Sequence, residues 1–191
     1  MDKQQKPNEL PIPKPFLAED TGQPIDRCID CNHDLMLGDR YYVIEKVFKR
    51  YPNLDKTEVL FEYAICHTCY DEMKERLSTE SMANLSNYMM TQTDFDGMHK
   101  RINENPDDPE KWLTNCMIKG TAVEDMQEYQ IGGFFKGGKM VTNYLPPFMV
   151  GEIAMEEMNE LLSDETKDQM DGFMDDNFGI PPELRRDLIL I

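Results

Sequence analysis

The 191 residues suffice for one ordinary domain, or for a small one with a modest second. A hydrophobic content of 40% with 30% charged residues fits a soluble globular chain, and no run approaches the ~18 apolar residues of a membrane span. The formal charge of −17 is spread unevenly, and no segment is net basic, so nucleic acid is disfavoured as the main partner.

Residues 1–25 read as an extended, proline-rich lead-in that drapes over the surface or stays mobile. Pro7, Pro11, Pro13, Pro15 and Pro24 each remove an amide donor and oppose helix. The opening MDKQQKPNELPIPKP has no apolar stretch of the signal-peptide kind, so the expectation is a cytosolic protein. No repeat is visible at a period of about 20–50 residues.

Four of the five cysteines form two C-x-x-C pairs, Cys28 with Cys31 and Cys66 with Cys69. In a cytosolic chain such pairs point to metal or redox chemistry before structural disulfides. Between them, Tyr41 to Lys49 is rich in β-branched and aromatic residues, and Val59 to Ile65 alternates. Pro52, Asn53 and Asp55 supply a turn, so the stretch predicts a β-hairpin. The hairpin accounts for a gap between the pairs longer than the ~15–20 residues of the commonest spacing. Four thiolates close a tetrahedral shell at Zn–S near ~2.3 Å and leave no open position for water. The expectation is one structural Zn²⁺ held by Cys28, Cys31, Cys66 and Cys69. The competing readings are a redox dithiol, four unrelated thiols, or three cysteines completed by His33 or His67.

A knuckle in RCIDCNHDLMLGDRYY, then a hairpin, then a ligand pair in YAICHTCYDEM that runs at once into a helix resembles the treble-clef class of zinc fingers. The resemblance covers residues 26–80. It implies a metal-stabilised binding module, but treble clefs also serve nucleic-acid binders and nucleases.

Helical signals follow Cys69. Met73 and Leu77 share a face, and Ser78 can cap a helix on which Met82, Leu85 and Met89 line up. Asp108 with Pro109 predicts a further helix running to Gly120. In YQIGGFFKGGKMVTNYL, Gly137 and Gly138 predict a second hairpin turn. The C-terminal third reads as helical, with an Ala154, Met158, Leu161, Leu162 stripe and then a helix capped by Ser163 with Met170, Phe173 and Met174 inward. Leu184, Leu188, Leu190 and Ile191 suit a short last turn. The fifteen methionines fall largely on these stripes and read as core.

Other candidate sites are weaker. Cys116, beside Trp112, Leu113 and Met117, reads as a buried small side chain rather than a nucleophile. Asp94, Asp96 and Gly97 have the mutual offsets of a calcium loop, but Gln92 and Asn103 fail as its end ligands. Glu156, Glu157, Glu160, Asp175 and Asp176 read as solvent-facing. GGFFKGGK lacks the spacing of a phosphate cradle, and no nucleotide-binding or hydrolase motif is present.

The sequence therefore predicts an α+β fold. Residues 1–25 form the lead-in, 26–86 a treble-clef-like zinc module, and 87–191 a mainly helical acidic region with a second hairpin, sharing one core with the module or standing apart. Residues 151–191 carry 12 acids against 3 Lys and Arg. The function expected is a non-catalytic protein-interaction or adaptor role with a protein partner bearing a basic face. A treble-clef nucleic-acid binder or nuclease is one alternative. An enzyme whose site assembles from distant residues, around Cys116 or His99, is the other.

Overall fold

Residues 9–143 and 145–179 are described by the computed structural model. The long hairpin expected between the cysteine pairs is present as β2 (Tyr41–Tyr51) and β3 (Lys56–Cys66), joined by a turn at Pro52–Leu54 with Asp55 left-handed. The second hairpin is also present. Strand β4 (Glu128–Lys136) turns at Gly137, φ +55°, into β5 (Lys139–Val141). A short strand, β1 (Glu9–Pro11), pairs with β5, and β6 (Phe148–Gly151) pairs with β4. Among the described residues these six strands form one antiparallel sheet of order β1-β5-β4-β2-β3, with β6 beside β4.

Five α-helices accompany the sheet among the described residues: α1 (His67–Glu75), α2 (Thr79–Gln92), α3 (Phe95–Glu104), α4 (Glu152–Glu160) and α5 (Asp164–Phe178). The fold is mixed α+β, as the composition of its segments predicted. The first hairpin alternates about the sheet plane. Tyr63 and Phe61 meet Phe173 and Phe178 of α5, with ring centroids 5.5 and 5.4 Å apart, so α5 covers that face. Gly132, the partner of Phe148 in the β4–β6 pair, lies under the Phe148 ring, where a Cβ would come within 2.3 Å of Cζ, so a side chain there would displace that ring.

Residues 9–25 do more than drape. Phe16 is fully buried and meets Phe135 edge to face at 5.1 Å. Lys46, itself buried, donates to the Leu17 carbonyl at 2.7 Å and pairs with Glu62 at 2.7 Å. Glu62 in turn accepts from the Glu19 amide at 2.9 Å. Prolines oppose helix here but do not oppose packing, which the aromatic ring supplies.

The helix expected from Asp108 to Gly120 does not form. Only a 3-10 turn, Pro109–Trp112, follows Asp108. The Cys116 amide donates to Thr121 O at 2.8 Å and the Met117 amide to Met149 O at 2.7 Å, so this backbone is drawn into a loop against β6 rather than into an i→i−4 ladder. The apolar turn expected around Leu184, Leu188, Leu190 and Ile191 lies outside the described residues, as does Pro7.

Helices α2 and α5 begin face to face. Ser78 accepts from the Ser81 amide at 3.1 Å, and Ser163 accepts from the Thr166 amide at 3.3 Å. Each cap is also crossed. The Ser78 amide donates to Thr166 Oγ1 at 3.0 Å, the Ser163 amide donates to Ser81 Oγ at 2.8 Å, and the two cap hydroxyls are 2.9 Å apart. Ser81 and Thr166 are fully buried, so these hydroxyls satisfy helix-terminal donors that water cannot reach. Ser78→Ala and Ser163→Ala are each expected to lose about 1 kcal/mol of stability. In urea titrations the double variant should lose less than both single losses together, because the caps share a bond. Strict additivity would contradict the shared network.

Candidate metal centre

The first ligand pair sits on a tight knuckle. The Cys28 amide donates to His33 O at 3.0 Å and the Asn32 amide to Cys28 O at 2.9 Å, while Asn32 takes the left-handed region at φ +56°. The Ile29 amide reaches Ala64 O on the outer edge of β3 at 2.8 Å, which holds the knuckle two residues from Cys66. Cys66 is the last residue of β3 and the N-cap of α1, and Cys69 lies in the first turn of that helix. A strand end and a helix start thus aim the second pair at the first.

The four Sγ atoms all lie within 4.8 Å of one another, and Cys31 Sγ is 3.8 Å from Cys66 Sγ. Sulfurs held ~2.3 Å from one ion in a tetrahedron are about 3.8 Å apart, so this edge already has the span of a metal shell. It is far too long for a disulfide, whose S–S length is ~2.05 Å, and all five cysteines are free. Among the described residues this is the group of His, Cys, Asp or Glu side chains placed to hold a metal ion.

Hydrogen bonding and charge around the sulfurs are graded. The Cys66 amide donates to Cys28 Sγ at 3.3 Å. Burial pushes the Cys28 thiol up. Burial also raises Cys69, helped by its bonds to Asp30 and Cys66. At Cys66 burial works the same way, but the Cys69 amide and thiol and the Arg40 guanidinium outweigh it and bring that thiol down to about 7. Arg40 Nη1 stands 3.9 Å from Cys66 Sγ. A cation on one side and amide donors on the other are what a set of thiolates needs from its surroundings.

The two histidines that competed as ligands are engaged elsewhere. His33 Nε2 is 3.0 Å from Asp39 Oδ1, and His67 Nδ1 is 2.8 Å from Asp71 Oδ2. The His33 hydrogen bond holds the Asp39 carboxyl below its usual range.

The remaining candidates find structural explanations. Asp94 caps α3 by accepting from the Gly97 amide at 3.0 Å, which uses up the calcium-like spacing. Glu156, Glu160, Asp175 and Asp176 are exposed, whereas Glu157 accepts from Tyr88 and pairs with Lys119 at 2.6 Å. Cys116 is buried, its sulfur accepting from the Lys119 and Gly151 amides, both at 3.4 Å, and His99 is exposed on α3. Arg40 was missed from sequence, since nothing in a GDR tripeptide shows that its side chain turns back to a cysteine 26 residues away.

A cleft of ≈ 300 Å³ opens beside the cysteine cluster, between α1 and α5. Asp30, Asp168 and Asp176 line it together with Arg76, and Met73 and Phe173 supply its apolar part. No described helix is long and apolar enough to cross a membrane. Comparison with protein-family models, with curated protein sequences and with solved structures finds no match to this chain.

Proposed function

We propose that Cys28, Cys31, Cys66 and Cys69 hold one structural Zn²⁺ in a treble-clef-like module, and that the chain is a non-catalytic protein-interaction or adaptor protein. The convergence of four sulfurs to within 4.8 Å carries the metal reading, and an all-thiolate set is the donor chemistry that suits zinc. Bound there, zinc supplies a cross-link between the knuckle and the start of α1. The chain's own residues orient the sulfurs and offset their charge: the Cys66 amide at Cys28, the guanidinium of Arg40 at Cys66.

The partner reading rests on the net charge of −17 and on the acidic cleft next to the metal module. Asp30, Asp168 and Asp176 suit a Lys or Arg of the partner, and Phe173 suits its aliphatic stem. Arg76 in the same cleft gives a carboxylate of that partner its counterpart. The treble-clef nucleic-acid alternative would need a basic face, which the charge opposes.

Affinity capture with the full chain, with and without nuclease, tests this directly. The expected result is a nuclease-resistant protein partner that is released by salt and lost with the Asp168→Lys/Asp176→Lys variant. Recovery of nuclease-sensitive partners alone would contradict it.

A further inference from the structure

The loop around Cys116 repeats the metal knuckle bond for bond. In the knuckle, the Cys28 amide reaches His33 O, the Asn32 amide Cys28 O, the Ile29 amide Ala64 O and the Leu35 amide Asp26 O. Around Cys116, the Cys116 amide reaches Thr121 O, the Gly120 amide Cys116 O, the Met117 amide Met149 O and the Val123 amide Thr114 O. Each donor in this loop lies 88 residues after its counterpart (28 to 116, 32 to 120, 29 to 117, 35 to 123). The left-handed residue recurs too, Asn32 at φ +56° and Gly120 at φ +67°. So does the sulfur environment. Cys28 Sγ accepts from the Cys31 and Cys66 amides, and Cys116 Sγ from the Lys119 and Gly151 amides.

The elements that follow repeat as well. Helix α4 starts and ends 85 residues after α1 (67 to 152, 75 to 160), and the cap Ser163 stands 85 after Ser78. The buried positions of α1, Cys69, Tyr70 and Met73, recur as Ala154, Met155 and Met158. Strands β2 and β4 pair antiparallel through Glu45 and Gly132, positions 87 apart, as are Tyr42 and Tyr129 or Phe48 and Phe135. Accordingly the stack of Tyr42 on Phe135 has a twin in Phe48 on Tyr129, at 5.6 and 5.0 Å. The crossed caps of Ser78 and Ser163 lie on the same pseudo-twofold. The three spacings differ because the second copy has shorter connections.

We infer that the two halves are copies of one knuckle–hairpin–two-helix unit, and that Cys116, Lys119, Gly151 and Ala154 are the remains of a second metal site at the places of Cys28, Cys31, Cys66 and Cys69. The inference rests on the metal reading above only for what was lost. In the second unit an ion pair replaces the metal cross-link: Lys119 of the loop pairs with Glu157 of α4 at 2.6 Å. Met126 takes the room beside Gly151, its Sδ 2.2 Å from where a Gly151 Cβ would stand, and Cys116, Lys119, Gly151 and Ala154 line a cavity of only ≈ 30 Å³. Sequence likeness survives only in pieces, such as Leu77-Ser78-Thr79-Glu80 against Leu162-Ser163-Asp164-Glu165.

The test restores the ligands. Co²⁺ is titrated into the full chain and into Lys119→Cys/Gly151→Cys/Ala154→Cys, with thiolate–cobalt absorbance and elemental analysis as readouts. The variant is expected to take up one metal ion more per chain than the unsubstituted protein. Gly151→Cys requires the Met126 side chain to move, so Lys119→Cys/Ala154→Cys, which leaves three sulfurs with Cys116, is measured beside it and should gain one weaker ion. A folded variant with unchanged stoichiometry overturns the inference. Absence of metal from the unsubstituted chain would instead sink the proposed zinc site, and a gain of one ion by the variant would still support the duplication.

Discussion

Cys69→Ser is expected to abolish tight metal binding and to unfold the module around the knuckle. The four sulfurs, the bond between Asp30 and Cys69 and the knuckle's bond to Ala64 at the edge of β3 tie residues 26–35 to the start of α1. Structural zinc sites contribute an apparent ~10–16 kcal/mol, as much as the whole stability of an ordinary domain at about 5–15 kcal/mol. Loss of one thiolate should therefore be read as a fall of several kcal/mol in urea unfolding, followed by far-UV circular dichroism and by the buried Trp112. Cys116→Ser is the matched control. It keeps an acceptor for the Lys119 and Gly151 amides and should leave metal content untouched. Equal stability of Cys69→Ser and the unsubstituted protein would contradict a structural metal.

The second large effect falls at Phe16→Ala, expected to cost about 3–5 kcal/mol, the range for emptying a buried aromatic site. Phe16 is fully buried against Phe135, and the ring also lies 3.2 Å from where a Gly133 Cβ would stand. Its removal opens a cavity that Lys46, tied to the Leu17 carbonyl and to Glu62, cannot close. Urea titration of the variant decides it, and a change under about 1 kcal/mol would show that residues 9–25 contribute little to the core.

What the sequence revealed and what it hid follow from the range of each signal. Both hairpins were legible because β-branched alternation and turn residues act locally, at Val59–Ile65 and at Gly137. The caps at Ser78 and Ser163 were legible for the same reason, but their crossing was not, since it joins residues 88 and 82 apart. The helix expected over Asp108–Gly120 failed because an N-cap and a proline at the first helical position announce only a beginning. The hydrogen bonds that turn Cys116 and Met117 aside come from Thr121 and from β6. Phe16 was hidden among prolines that spoke only about backbone. The cysteine pairs were legible as a set because metal ligation needs particular atoms at particular spacings. Arg40, which side of the knuckle faces β3, and the second knuckle were not, since backbone hydrogen bonds leave no letter in the sequence once the cysteines are replaced.

The most direct measurement is metal content together with thiol reactivity, on the full chain purified without added zinc. About one zinc per chain is expected, with at most one thiol reacting until denaturant and chelator release the other four. That pattern matches the four converging sulfurs and leaves the buried Cys116 as the odd thiol. A protein without metal, whose Cys28, Cys31, Cys66 and Cys69 oxidise and reduce reversibly, would contradict the account and make the cluster a redox centre.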